Sequence, residues 1–239
     1  MKRICLWSSP RNLSTALMYS FAQRSDTLVI DEPLYGYFLK HTGAQRPGRD
    51  EVLNQMETDG YKVINNVLLG HYEKPVVFFK HLTNQAIDLD VSFMKEMVNV
   101  FFIRNPKNII ASFAEVVEQP VQDDIGIKLQ ESYYRHALKH HYKNVMVDAD
   151  DLLSNAKGII KSLCKNCDIE FEESMLHWPP GPKTYDGIWA PYWYKNVHQS
   201  TGFSRQRSSD RPLPKHLYEL YEESKIHYNY LKQFAIAAD

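Results

Sequence analysis

Five short apolar runs constrain this chain more than any other feature: Ile4–Trp7, Thr27–Ile30, Pro75–Phe79, Val98–Ile103 and Val145–Val147. They are rich in Val, Ile and Phe and lack polar alternation, the pattern of strands buried on both faces of a parallel sheet. Helical patterns fill the intervals, at Ser14–Ala22, Glu51–Leu69, Val91–Met97, Pro106–Val117, Gly126–His141 and Asp151–Cys164, with a last helix expected over Lys215–Gln233. Strand and helix alternate, so the class is α/β with a parallel sheet.

At 239 residues the chain fits one domain spanning 1–239, long enough to bury a core without disulfides or metals. The formal net charge of −1 argues against a dedicated nucleic-acid binder. No stretch approaches 18 consecutive apolar residues, so no membrane span is expected. Lys2 and Arg3 precede too short an apolar run for a signal peptide. With only three cysteines, a reducing, cytoplasmic setting is the expectation. Cys164 and Cys167 form a CxxC, but at the end of a helix, whereas redox pairs gain thiolate stability at a helix N-terminus. A zinc site would need a second pair. His136 and His140 stand one turn apart without an evident third ligand, which favours a solvated or aromatic-packed face over a metal.

The stretch WPPGPKTYDGIWAPYWYKNVHQSTGF, Trp178–Phe203, holds too many rings to be a linker. It reads as an ordered irregular segment, packed or walling a site.

Two motifs carry chemistry. In LWSSPRNLSTALMYSF, Leu6–Phe21, a strand breaks into a polar loop and then a helix. The free N–H groups and the dipole of a helix N-terminus favour an anion there. Arg11 adds a planar fork suited to phosphate or sulfate, and Ser14 and Thr15 add hydroxyls. A plain helix cap by Ser14 or Asn12 would leave Arg11 unexplained. In FFIRNPKNIIASF, Phe101–Phe113, Arg104 follows a strand, Pro106 opens a helix and Ser112 comes eight residues after Arg104. An arginine at the C-terminal end of such a strand faces the ligand crevice of an open α/β sheet.

Together, PRxxST after the first strand and R-x-P-x-N-x-x-x-S after a later one resemble the sulfotransferase family, whose donor is 3′-phosphoadenosine 5′-phosphosulfate. The resemblance implies a three-layer, five-stranded parallel sheet with helices on both faces, of the P-loop nucleoside-triphosphatase type. It also implies transfer of a sulfuryl group to a hydroxyl or amine of a small-molecule or sugar acceptor, without a metal. Arg11, Asn12, Ser14 and Thr15 would hold the 5′ side of the donor, and Arg104 and Ser112 the 3′-phosphate. STGFSRQR, Ser200–Arg207, takes the place of the basic segment over that phosphate, which brings in Gly202 and Arg205. TLVIDEPLYGYF, Thr27–Phe38, is similar to the segment whose glutamate is the base in carbohydrate members, here Glu32. VVFFKHL, Val76–Leu82, resembles the strand whose lysine contacts the transferring group, here Lys80. His81 beside it is the alternative base. VMVDADDLLSNAKGIIKSLCKNCDIEF, Val145–Phe171, looks like a further strand-helix unit of the family.

Two departures stand out. Ala16 replaces a stacking aromatic, and Leu13 replaces a loop glycine. A leucine is expected to keep φ negative, which would change the loop backbone. Two other readings remain. A kinase or ATPase could use LVIDE, Leu28–Glu32, as a magnesium-binding strand, but it would need GxxxxGK[ST], and the loop has neither Gly nor Lys. A non-catalytic nucleotide-binding module is the third. Acceptor specificity would lie in His41–Asp50 and Trp178–Phe203.

Overall fold

The computed structural model describes residues 1–204 and 211–239. Its elements run, in order, β1 (Lys2–Ser8), α1 (Ser14–Ala22), β2 (Thr27–Asp31), α2 (Tyr35–Thr42), α3 (Arg49–Gln55), α4 (Gly60–Val63), β3 (Val76–Leu82), β4 (Val98–Ile103), α5 (Pro106–Phe113), α6 (Gln122–Ile125), α7 (Ile127–Lys139), β5 (Asn144–Asp148), α8 (Ala149–Ser154), α9 (Ala156–Asn166), α10 (Ala190–Trp193), α11 (Lys195–His198) and α12 (Tyr218–Lys232). All five apolar runs are strands. They pair in parallel in the order β2-β3-β1-β4-β5.

Side chains alternate across the sheet, so each strand feeds two cores. Ile4, Leu6, Phe78, Val100 and Val147 face a cluster built with α1, α8 and α9. Cys5, Trp7, Phe79, Phe101 and Met146 face a second cluster with α5, α7 and α12. This gives the expected three layers. Order reverses between β1 and β4: β1 connects onward to one side of itself and β4 to the other. A crevice outside the strand C-termini follows at such a switch point.

Several helix boundaries differ from expectation. The span expected as one helix over Glu51–Leu69 breaks after Gln55. The Asp59 carboxylate then caps a fresh start at Gly60, and a π-helical turn follows over Ile64–Leu68. Asn155 likewise splits Asp151–Cys164, because its side chain accepts from the Gly158 N–H and caps α9. α2 has no counterpart among the helical patterns of the sequence, because Gly36 and the closely spaced rings of Tyr35, Tyr37 and Phe38 mask its period. Val91–Glu96 is a 3-10 turn rather than an α-helix. Among the described residues no helix is long and apolar enough to cross a membrane.

Cys164 and Cys167 are buried free thiols at the end of α9, pushed up by burial to about 11 and about 12. Inert thiols in an apolar core suit packing rather than redox exchange. The His136 and His140 rings lie 4.4 Å apart, with Tyr142 against both.

Candidate active site

The crevice at the switch point is lined by Pro10–Ala16, Glu32, Lys80, Arg104 and Ser112. Its wall is completed by Tyr35, Phe38, Arg46, Phe113, Trp189 and Trp193. Gly202 lies on its rim, in a bridge to His177. The Trp178–Phe203 segment therefore walls the cleft, and its rings Trp178, Trp189 and Tyr194 are buried. Of the His41–Asp50 stretch, Arg46 reaches the cleft, where it pairs with Asp124.

At one end, the two sequence motifs close on each other. Arg11 Nε donates to Ser112 Oγ at 3.0 Å, and an Arg104 guanidinium nitrogen donates to the Arg11 carbonyl at 2.8 Å. Those partners stand 101 and 93 residues apart in sequence. Arg211 adds a third cation, donating to Ser112 Oγ at 3.3 Å and pairing with Glu115 at 2.9 Å. Among the described residues neither Arg11 nor Arg104 has a carboxylate within ion-pair distance. Arg104 is buried, and its Nε has no partner among the described residues. Burial lowers both guanidinium groups from their ordinary value, and Arg211 adds to the effect on Arg11. Asp150 and Asp148 oppose this for Arg104, and Glu115 for Arg11, from beyond ion-pair distance, and an anion in the cleft would add a direct partner.

The loop holding Arg11 keeps the backbone a glycine would give. Leu13 has φ 62° and ψ 13°, which corrects the expectation of a negative φ. Arg11 is also left-handed, at φ 58°. Such residues cost on the order of 1–3 kcal/mol each and persist where their surroundings over-determine them. Here the Leu13 carbonyl accepts from the Leu17 N–H at 3.1 Å, and its side chain packs on the α1 core. Asn12 pins the turn from beneath, since its amide donates to the Phe102 carbonyl at the end of β4. Gln130 donates to that carbonyl too, at 3.1 Å, and to the Trp7 carbonyl at 2.7 Å. Asn12 thus faces the sheet, while Ser14 and Thr15 line the cleft on the first turn of α1.

At the other end stands a buried ionic cluster. Lys80 and Asp31 are register partners on neighbouring strands, so both side chains leave the same face. The Lys80 ammonium pairs directly with Glu32 and lies 3.1 Å from Asp31 Oδ1. It donates to the Tyr194 hydroxyl at 2.8 Å. Tyr194 in turn donates to Asp31 Oδ2 at 2.7 Å and accepts from Trp189 Nε1 at 3.1 Å. Gln85 donates to the second Glu32 oxygen. Glu32 has φ 41°, a strained turn that aims its carboxylate back over β3. Burial raises the Glu32 carboxyl above its ordinary value; Lys80 opposes this and Asp31 adds to it. Burial also works against the Lys80 charge, but Asp31 and Glu32 outweigh it and the ammonium is held above its ordinary value.

His81 is not brought to the cleft. It follows Lys80 on a strand and so points to the opposite face, where its ring stacks on Trp7 at 5.4 Å. It is fully buried, neither ring nitrogen has a partner, and burial pushes it down to about 3. Arg205 lies outside the described residues. Four site residues escaped the sequence reading: Asp31, Gln85, Tyr194 and Arg211. Asp31 sits beside Glu32 in LVIDE, and only the strand register shows that it shares the face of Lys80.

The sulfotransferase domain family matches residues 1–235. Among curated proteins, the branched-chain-amino-acid aminotransferase-like protein 1 of Arabidopsis thaliana is 44% identical over 227 residues, 95% of this chain and 41% of that protein. Protein 2 of the same name and plant is 41% identical over 233 residues, 97% of this chain and 42% of that protein. The chain thus spans about two fifths of the length of these curated relatives. Among solved structures, the sulfotransferase domain from the curacin biosynthetic pathway matches with a TM-score of 0.53 at 13% identity, over 99% of both chains. At that identity the likeness concerns the fold. The family match over almost the whole chain, on a sheet of this order, makes the chain a sulfotransferase domain and a member of the sulfotransferase domain family.

Proposed function

We propose that this domain moves a sulfuryl group from 3′-phosphoadenosine 5′-phosphosulfate to a hydroxyl or amine of a small-molecule or sugar acceptor. The observation that carries this reading is the closure of Arg11 on Ser112 and of Arg104 on Arg11, which joins both motifs in one cationic end. Two arginines without ion-pair partners among the described residues, one with an orphaned Nε there, fit a ligand bearing phosphate. The donor, when bound, supplies an activated sulfuryl group on a bisphosphorylated adenosine.

In this reading Arg104 and Ser112 hold the 3′-phosphate, with Gly202 beside it. Arg11, Ser14, Thr15 and the N-terminus of α1 hold the 5′ side, and Asn12 fixes the loop that presents them. Lys80 places a positive charge against the transferring group. By analogy with phosphoryl transfer, the protein's work is positioning and charge stabilisation. Glu32 takes the acceptor proton. A carboxyl raised by burial is a stronger base when ionised than a free one, which suits that role. The ring-lined wall of Tyr35, Phe38, Phe113, Trp189 and Trp193 receives the acceptor.

Thermal shift tests the assignment. Adenosine 3′,5′-bisphosphate without magnesium is expected to raise the melting temperature, and ATP with magnesium is not. The reverse result would assign the cleft to a nucleoside triphosphate. Screening metabolite pools with isotopically labelled donor then identifies the acceptor. Sulfated product that survives Glu32→Gln undiminished would remove Glu32 from the chemistry.

A further inference from the structure

Arg46 lines the cleft but takes no part in the network around Lys80. The loop that carries it links α2 to α3 and is built into shape. Gly43 and Gly48 flank it in left-handed backbone, at φ 67° and 77°, where side chains other than glycine are strained. A Cβ on Gly48 would also meet the Tyr192 ring at 2.7 Å, so the loop lies against α10. Arg46 pairs with Asp124 of α6 on the other side of the cleft. The second Asp124 oxygen accepts from the Val121 N–H at 3.0 Å. Asn84 braces α6 by donating to the Asp123 and Asp124 carbonyls at 3.2 Å and 3.4 Å. A guanidinium has five N–H groups. On Arg46 one donates to Asp124 and one to the Gln45 carbonyl at 2.9 Å. The other three have no partner among the described residues, and Nε, one of them, is not sealed in the interior as Arg104 Nε is.

We infer that Arg46 binds a carboxylate of the acceptor, which is therefore a hydroxy acid with an apolar body between its hydroxyl and its acid group. The inference rests on the sulfotransferase reading above. The order of groups along the wall carries it. Glu32 stands at the turn into α2, and its carbonyl accepts from the Tyr35 N–H at 3.0 Å. Burial raises the Tyr35 phenol; Glu32 adds to this and Arg46 opposes it, so the ring lies in the field of both charges. The Phe113 ring centroid lies 6.0 Å from the Arg46 guanidinium carbon. A hydroxyl placed at Glu32 thus leaves an apolar body against rings, with a cation beyond them. Asp124 compensates one charge and orients the guanidinium without using up its donors. A planar, singly charged carboxylate fits the spare N–H groups, and the Arg46–Asp124 pair stays intact. A dianionic phosphate would meet stronger repulsion from Asp124 and Glu32. A neutral acceptor of the same shape would forgo the charge-assisted bonds.

Equilibrium binding to the protein saturated with adenosine 3′,5′-bisphosphate tests this with matched pairs: para-hydroxybenzoate, para-hydroxyphenylacetate and para-hydroxyphenylpropionate, each against its amide. The pairs share a phenol, and the series samples the spacing from hydroxyl to acid. At neutral pH at least one carboxylate is expected to bind wild type about tenfold tighter than its amide, the worth of a charge-assisted hydrogen bond. Arg46→Gln is expected to erase that preference. Arg46→Lys, which keeps the charge without the planar fork, is expected to retain part of it. An Arg46–Asp124 pair that serves only the fold would move carboxylate and amide by one factor. Amides that bind as well as their acids, no binding by any member of the series, or a preference that survives Arg46→Gln overturns the inference. The wild-type comparison and Arg46→Lys keep the test if Arg46→Gln fails to fold. Wild type that does not bind the bisphosphate overturns the sulfotransferase reading, whereas bisphosphate binding without a carboxylate preference strikes this inference alone.

Discussion

The two ends of the cleft handle charge in opposite ways. At the arginine end, Arg11 and Arg104 lie close together without carboxylate partners among the described residues, and a third cation, Arg211, pairs with a half-exposed glutamate. At the lysine end, one cation meets two carboxylates and a phenol, and the Gln85 amide donates to one of those carboxylates. A buried cation without a direct ion pair leaves room for a ligand's charge, while a directly paired one holds the fold together. Removing charge should therefore weaken binding at the first end and stability at the second.

The largest expected effect is on stability. Lys80→Met strands Asp31 and Glu32 in the interior and should cost about 3–5 kcal/mol at neutral pH, read by denaturant unfolding. The loss should shrink in acid as the carboxyls take up protons. A loss below about 1 kcal/mol would mean that the lysine end is not the structural one. Glu32→Gln comes next and acts on rate, with an expected fall of roughly 10²–10⁴ once an acceptor is known. Because burial raises Glu32, the wild-type rate should climb with pH on a limb above the usual carboxylate range. The glutamine variant should lack that limb. For stability the sign is opposite: the neutral carboxyl is favoured in the fold, so its contribution is full below the ordinary glutamate value. That contribution is lost as pH rises through the raised value. Arg104→Ala should weaken bisphosphate binding by about 10–100-fold, the worth of hydrogen bonds to a charged ligand. It should change folding stability by less than ~1 kcal/mol, and a larger stability loss would erase the contrast between the ends.

The sequence made the sheet legible because buried parallel strands need only short runs of Val, Ile and Phe, and all five runs became strands. Helix ends were less legible. Asp59 and Asn155 cap new helices inside spans whose apolar period continues through them, and a period carries no record of a cap. Arg11, Arg104 and Ser112 could be matched as motifs, and the fold brings them into contact. Tyr194 could not be found that way, because nothing local in PYWYKN links it to a lysine 114 residues away. Leu13 teaches a different lesson. Its intrinsic preference for negative φ is a small energy, and the Asn12 and Leu17 hydrogen bonds together with core packing overrule it. The family resemblance makes His81, beside Lys80, the alternative base to Glu32, yet adjacent strand residues face opposite layers and His81 stacks on Trp7.

The central claim is that Arg104 and its neighbours seat the 3′-phosphate of a bisphosphorylated adenosine. Calorimetric titration with adenosine 3′,5′-bisphosphate and with adenosine 5′-monophosphate, which lacks that phosphate, tests it most directly in wild type and Arg104→Ala. The account predicts a strong wild-type preference for the bisphosphate that Arg104→Ala largely abolishes. Equal affinity of wild type for both ligands, or an undiminished preference in Arg104→Ala, would contradict it.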